Sequence, residues 1–222
     1  MIVKGFNIKV INLHFFVGIN QIRLDYDKFI SFSNIHNKRN ALDYFFAILE
    51  EIQNKNKNTI IQFIKEKYIL NQDHIFTPCY YAEKSFLQKT NISNKKNIEL
   101  LLYLATNRQI NKSIDAFGID NSDLKKKILT YCIISPLNNF NKINDELISA
   151  LNAEQKEMTI NNLTDDKINL IKEYFELSDN QINSVLKSYG IIMSSSESNL
   201  KCVKSALYDL ICEKMALLHI EK

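Results

Sequence analysis

Residues 91–118 run NISNKKNIELLLYLATNRQINKSIDAFG, and the rest of the chain is best understood from how they pack. A polar tripeptide, Asn91-Ile92-Ser93, leads into Ile98, Leu100, Leu101, Leu102, Tyr103, Leu104 and Ala105 with almost no polar interruption. A helix that is apolar on every face belongs in the middle of a domain, wrapped on all sides. At Thr106-Asn107-Arg108-Gln109 the character turns polar. A second helical run then places Ile110, Ile114 and Phe117 on one face, and Gly118 is expected to end it in the left-handed conformation that glycine tolerates. The buried helix therefore carries polar groups at both ends, where its unpaired amides and carbonyls also sit.

Upstream, Ile2–Ile11 reads as a strand, with a bulge at Gly5-Phe6 where alternation breaks. Leu13–Arg23 reads as a second strand, weakened by Gly18, while Tyr26–Asn37 is ambiguous. Asn40–Lys55 repeats apolar residues at helical spacing, and Thr59–Lys65 returns to strand. Asn71 is the expected cap of a helix reaching Leu87, with a kink or restart at Pro78 and Thr77 as its second cap. Downstream, Lys125–Ser135 reads as a strand closed by Pro136, and Asn139–Leu151 as a helix. Leu163-Thr164-Asp165-Asp166 starts another helix, and Ser178-Asp179-Asn180-Gln181 matches a capping box ahead of a short helix to Gly190. Ser194–Ser196 reads as a flexible link. The last helix, Leu200–His219, carries two apolar stripes, more than one face buries. Few strands and many helices without regular βαβ alternation predict an α+β fold: a small, mostly antiparallel sheet packed with several helices and a helix-rich C-terminal half. A single domain over 1–222 is expected, with 159–190 as a semi-independent helical hairpin.

The chain has 222 residues, 45% hydrophobic and 24% charged, enough for a sizeable core in one domain. A net charge of +3 does not by itself mark a nucleic-acid binder, so such a site must be a local patch. Cys79, Cys132, Cys202 and Cys212 are scattered, without C-x-x-C or metal spacing to any histidine, and read as free structural thiols of a cytoplasmic protein. No signal-peptide pattern or membrane span is expected, because the longest apolar run, Leu100–Ala105, is far too short to cross a bilayer.

Enzyme signatures are missing. No glycine loop cradles phosphate, and no G-x-S-x-G or H-E-x-x-H occurs. Glu50-Glu51 and Asp165-Asp166 read as solvated or dipole-paired carboxylates. His74, in the first turn of its helix, is a candidate ligand or base, though most such histidines are structural. Asn91-Ile92-Ser93 has two readings: a loop with a helix cap, or exposed amides that receive an anion or a base edge. Arg108 likewise caps the carboxyl end of the buried helix or contacts a ligand. Lys89, Lys95, Lys96, Arg108 and Lys112 cluster around these motifs.

The N-I-S tripeptide, the E-L-L-L-Y-L run, R-Q-I and the turn ending in F-G-I together resemble the small regulatory subunits of the KEOPS complex, the TPRKB-like family. The resemblance runs in order along nearly the whole chain. A family G-K-E-H-L helix start aligns with Asn71–Ile75, an S-E-E-K-I run ending in G-I-S-E-E-E resembles Thr164–Gln181, and a closing E-K-V-A-L-L helix resembles Glu213–Leu218. Two departures stand out: Gln72 replaces the family lysine, and the part from Leu13 to Arg39 is longer. The resemblance implies a non-catalytic subunit without cofactor or metal. It implies a protein that binds the kinase-like ATPase of KEOPS, supports its activity in threonylcarbamoyladenosine synthesis, and captures the single-stranded CCA tail of tRNA.

RNA contacts are then expected from His74, Asn91, Ile92, Ser93, Lys95, Arg108 and Gln109, since single strands are read by base edges, stacking and amides. The surplus apolar stripe at Met215, Leu217, Leu218 and Ile220 is the expected partner surface. The alternatives are a protein scaffold with no RNA contact, or an enzyme on a small ligand centred on His74 and Arg108.

Overall fold

The computed structural model describes residues 1–33, 41–161, 163–190 and 196–220, the side chains of 196–199 apart. Two layers of helices enclose one antiparallel sheet. Five strands are present among the described residues: β1 (Ile2–Ile8), β2 (Leu13–Arg23), β3 (Ile60–Ile64), β4 (Ile128–Ser135) and β5 (Glu154–Lys156). Their order is β1-β2-β4-β3, with β5 pairing the far end of β2 beside β1. The fold is α+β, as the scarcity of strands predicts.

Alternation along the strands builds two cores. Leu13, Phe15, Val17 and Ile19 of β2 join Cys132 and Ile134 of β4 on one face. Ile22, Ile61, Phe63, Leu129, Tyr131 and Ile133 point to the other. This follows from the two-residue period of a strand. Helices α1 (Tyr26–Phe32), α2 (Ala41–Lys55) and α6 (Phe140–Leu151) cover the second face. The first is covered by α3 (Asp73–Leu87), α4 (Lys96–Ala105), α5 (Ile110–Phe117), α7 (Asp165–Tyr174), α8 (Asp179–Ser188) and α9 (Ser196–Ile220). Apolar residues of the 159–190 segment, among them Ile168, Ile171, Phe175 and Ile182, belong to this same core.

Helix α4 is wrapped as its composition demands: Glu99 to Ala105 are all buried. Each buried leucine contributes about 1.5–3 kcal/mol. Expected caps also form. Thr164 accepts the Lys167 amide, and Ser178 with Gln181 makes a full capping box.

Several local expectations are corrected. The β1–β2 register runs from Ile2↔Ile19 to Ile8↔Leu13 without a skipped residue, so there is no bulge at Gly5. The strand stops at Ile8, and a 3-10 turn at Lys9–Ile11 with left-handed Asn12 makes the hairpin. Gly18 does not weaken β2; a Cβ there would lie 2.8 Å from Met1 Sδ and 2.9 Å from Phe140, so glycine permits that close approach. Helix α3 passes Pro78 without a break, and Thr77 is no second cap: its hydroxyl bonds Tyr208 Oη at 2.6 Å. Burial of Pro78 and its neighbours offsets the one missing ladder bond. Gly118 is extended (φ −75, ψ 147); the left-handed residue is Thr106 (φ 48), closing α4. Gly118 is still required, since a Cβ would stand 2.8 Å from the Ile114 carbonyl. Ile110 and Ile114 are exposed (40% and 36%), and α5 buries Ser113 and Phe117 instead. β5 was not anticipated, because its sequence, Glu-Gln-Lys, has no strand character. Asn34–Asn37, Asn40, Ser194 and Ser195, on which expectations also fell, lie outside the described residues.

Candidate functional site

The expected site residues are arranged around α4. At its amino end, Asn91, Ile92 and Ser93 form a loop held by a residue inside the helix itself. Glu99 is fully buried. Its Oε2 accepts the Ile92 amide at 2.9 Å and the Ser93 amide at 2.7 Å, and Oε1 accepts the Ser85 hydroxyl at 3.2 Å. The amides read as open to an anion are therefore already paired, with a carboxylate. Asn91 Nδ2 donates to the Ser93 carbonyl at 3.0 Å, and Ser93 Oγ accepts the Lys95 amide at 3.2 Å. Ser93 is 7% exposed, whereas Lys95 is open to solvent. Lys96 is engaged, its Nζ lying 2.8 Å from Glu83.

The carboxyl end of α4 carries Arg108 and Gln109 in an exposed link to α5. The ten residues of α4 put about 15 Å of helix between this link and the N-I-S loop. The two motifs thus occupy opposite ends of one rod and do not converge on one spot. Arg108 lies near Tyr103, whose hydroxyl meets His219 Nδ1 at 2.9 Å and whose ring stacks on Tyr81 at 5.2 Å. Burial pushes the Tyr103 phenol up, Glu99 adds to the shift, and Arg108 opposes it.

His74 sits beneath the surface. It is fully buried, its ring against Phe117 and Phe175. Nδ1 accepts the Leu70 amide at 3.1 Å, so the proton of the neutral ring resides on Nε2, which has no partner of normal geometry among the described residues. Burial drives the imidazole down to about 3, outweighing the pull of the Leu104 carbonyl, while Lys167 pushes the same way. Such a group neither reaches RNA nor shuttles protons to a solvent-borne ligand; its place is structural. Asn71 accepts the His74 amide at 2.9 Å and performs the expected capping bond.

Beside the Arg108 link opens a cleft of about 1020 Å³, lined by Thr106 and Asn107 and reaching Lys214 of α9. Lys65, Lys67, Lys112 and Lys126 line it too, along with Asp115, Asp120, Asp123, Glu66 and Glu176. Part of this charge is internally matched. Lys65 Nζ lies 2.8 Å from Asp120 and 3.6 Å from Asp123, and Lys126 bonds Asp123 at 2.7 Å. The Lys65 ammonium and the Ser122 hydroxyl hold the Asp120 carboxyl well below the carboxylate range. Although burial pushes the Lys65 ammonium down, Asp120 and Asp123 raise it. On one wall Tyr68 stacks on Tyr174 at 4.2 Å, with Lys67 Nζ 4.8 Å from the Tyr68 ring. The lysines of the lining are balanced by its carboxylates, and the flat tyrosine rings are the part of the cleft suited to stacked bases. Glu99 was legible as the lone carboxylate in an apolar run. The Tyr68–Tyr174 pair and the lysines of 65–67 and 126 had no local signal, because the sheet brings them together.

At the end of α9 the expected partner stripe divides. Met215 and Leu218 are core residues (0% and 5% exposed) and present nothing to a partner. Leu217 and Ile220 are open at 46% and 73%. Helical geometry sets Met215 and Leu218 on one side of α9 and Leu217 and Ile220 on the other, and only the first pair faces the core.

Among the described residues no group of His, Cys, Asp or Glu could hold a metal ion, and no helix is long and apolar enough to cross a membrane. A family model described as kinase binding protein CGI-121 matches residues 32–219. No curated protein matches the chain.

Proposed function

The chain belongs to the family of kinase binding protein CGI-121, the KEOPS-subunit family, and on that premise we propose that it is the kinase-docking, tRNA-recruiting subunit of such a complex. In this reading it works in the cytoplasm without catalysis of its own, supports the kinase-like ATPase and captures the single-stranded CCA tail during threonylcarbamoyladenosine synthesis. The observation that carries it is the family match, which spans both the α4 motifs and α9.

The kinase surface in this reading is the open part of the α9 stripe. Leu217 and Ile220 are large apolar side chains left in solvent at a helix end, which favours helix-against-partner docking. Leu217→Glu combined with Ile220→Glu is expected to weaken the complex with the kinase-like subunit by about tenfold or more, at an unchanged melting temperature. Leu218→Glu tests nothing about docking, since it places a charge in the core. Undiminished binding by the double variant would remove α9 from the interface.

The RNA surface in this reading is the Arg108 link and the cleft beside it, with Gln109, the lysines and the tyrosine pair. Lys95, Asn91 and the rest of the N-I-S loop, some 15 Å away, supply a separate contact to the strand. Gln72, exchanged for the family lysine, leaves that end of α3 with one cation fewer. Arg108→Glu should lower tRNA affinity by about 10- to 100-fold through loss of a charge-assisted bond and added repulsion. The log–log salt slope should flatten by roughly 0.7 if one phosphate contact on a single strand disappears. Binding measured across a salt series, with a melting curve for each protein, decides. Equal binding with a lowered melting temperature would return Arg108 to the role of a helix cap.

A scaffold without RNA contact is the second reading. It is favoured by the occupation of the Ile92 and Ser93 amides by Glu99. A gel shift with intact and CCA-trimmed tRNA separates the two: a shift lost on trimming supports tail capture, and no shift of either RNA supports the scaffold.

A further inference from the structure

The β1–β2 hairpin precedes the family match, which begins at residue 32. β1 ends the sheet. Its inner side pairs with β2, and no strand among the described residues pairs with its outer side. Gly5, at its centre, is exposed, and since a glycine has no side chain, the main chain itself is open to water there. Open edges are ordinarily blunted by proline, bulges or several charges. β1 has no proline, an unbroken register and one charge, Lys4. That lysine folds back over the sheet face: its Nζ lies 5.5 Å from the Phe6 ring, 5.4 Å from Phe76 and 3.8 Å from Asp73.

We propose that β1 is a self-docking edge, on which two copies of this chain pair antiparallel about a two-fold axis at Gly5 and join their sheets. In an antiparallel strand, alternate residues turn both main-chain groups to the same side. A strand therefore pairs with its own copy only where partners have equal parity. The register centred on Gly5 meets this condition and uses all seven residues of the strand. Ile2 then faces Ile8, Val3 faces Asn7 and Lys4 faces Phe6, with no like charges opposed. Centring on Lys4 sets that lysine against its copy, and centring on Phe6 leaves Ile2 and Val3 unpaired. A closed isologous dimer is the outcome that two-fold pairing permits. The strand spans about 24 Å, at the small end of specific interfaces, so the dimer should be weak and concentration-dependent.

Sedimentation velocity over about 5–200 µM tests this, with a melting curve for each protein. Val3 and Asn7 are both exposed, so charges there leave the core intact. The wild-type chain is expected to dimerise across this range. V3D/N7D sets carboxylates opposite each other twice and should raise the dissociation constant at least about tenfold. V3D/N7K sets opposite charges across the same axis and should restore the dimer. A wild-type chain that stays monomeric, or two double variants that both match wild type, overturns the edge. Loss of dimer in V3D/N7K as well overturns the Gly5 register.

Discussion

Glu99→Ala is expected to destabilise the protein by about 3–5 kcal/mol, a large share of the roughly 5–15 kcal/mol by which domains are stable. The reasoning starts from what the carboxylate satisfies. Two backbone amides and one hydroxyl, all at buried or half-buried positions, donate to it. Each donor left without an acceptor costs about 1–3 kcal/mol, and the emptied space at a fully buried position adds to this. Glu99→Gln keeps the shape but turns an NH2 group toward donors, and should cost about 2 kcal/mol. Urea midpoints give the magnitude. Hydrogen exchange at the Ile92 and Ser93 amides gives the cause, because those two should exchange faster in Glu99→Gln than their neighbours. An unchanged midpoint with both amides still protected would show that the loop is held by other contacts.

His74 should make stability fall as the pH drops below about 6.5. In the folded chain the ring stays neutral down to about 3, because burial opposes its charge. In the unfolded chain it titrates near 6.5. Between those values the unfolded state binds a proton that the native state refuses, so stability declines by about 1.4 kcal/mol per pH unit, or about 2 kcal/mol at pH 5. The stability is complete above pH 6.5 and is lost as pH falls toward 3. Asp120, held low by Lys65 and Ser122, adds its own loss only when its unfolded form begins to protonate near pH 4. The pH 5–6.5 window therefore isolates the histidine from that carboxylate. His74→Gln, which retains an acceptor for the Leu70 amide, should flatten the slope in that window while lowering stability at pH 7. Denaturation curves at pH 7, 6 and 5 for both proteins check it; parallel declines would mean that the ring is not kept neutral by burial.

Much of the frame was legible from short-range pattern. The weak alternation of β4, the wrapped helix α4 and the capping box at Ser178 all depend on residues within one element. Nearest-neighbour chemistry decides such features, and it stays in view along the chain. The candidate site was legible only in part. Arg108 at the exposed exit of α4 and Glu99 inside it both stand out as polar residues bordering or interrupting an apolar run. Their consequences did not follow from that. The Glu99 carboxylate reaches back to Ser85 and the N-I-S loop, consuming amides that the local sequence presents as open.

The amino-acid sequence alone was enough to establish an α+β chain, a helix at its centre and the place of both polar motifs beside that helix. Periodicity states which side chains share a face. It cannot state what that face meets. That Leu218 is covered while Leu217 is bare, that Ile110 and Ile114 look outward, and that His74 lies in an aromatic box with Phe117 and Phe175 were decided by packing between distant segments. Tyr103 finds His219 across 116 positions of chain, and the cleft beside Arg108 is lined by strand, helix and turn residues that no local window contains. Burial is a property of the assembled core, so the exposure of each candidate residue, and with it the chemistry it offers, was settled only once the elements had come together.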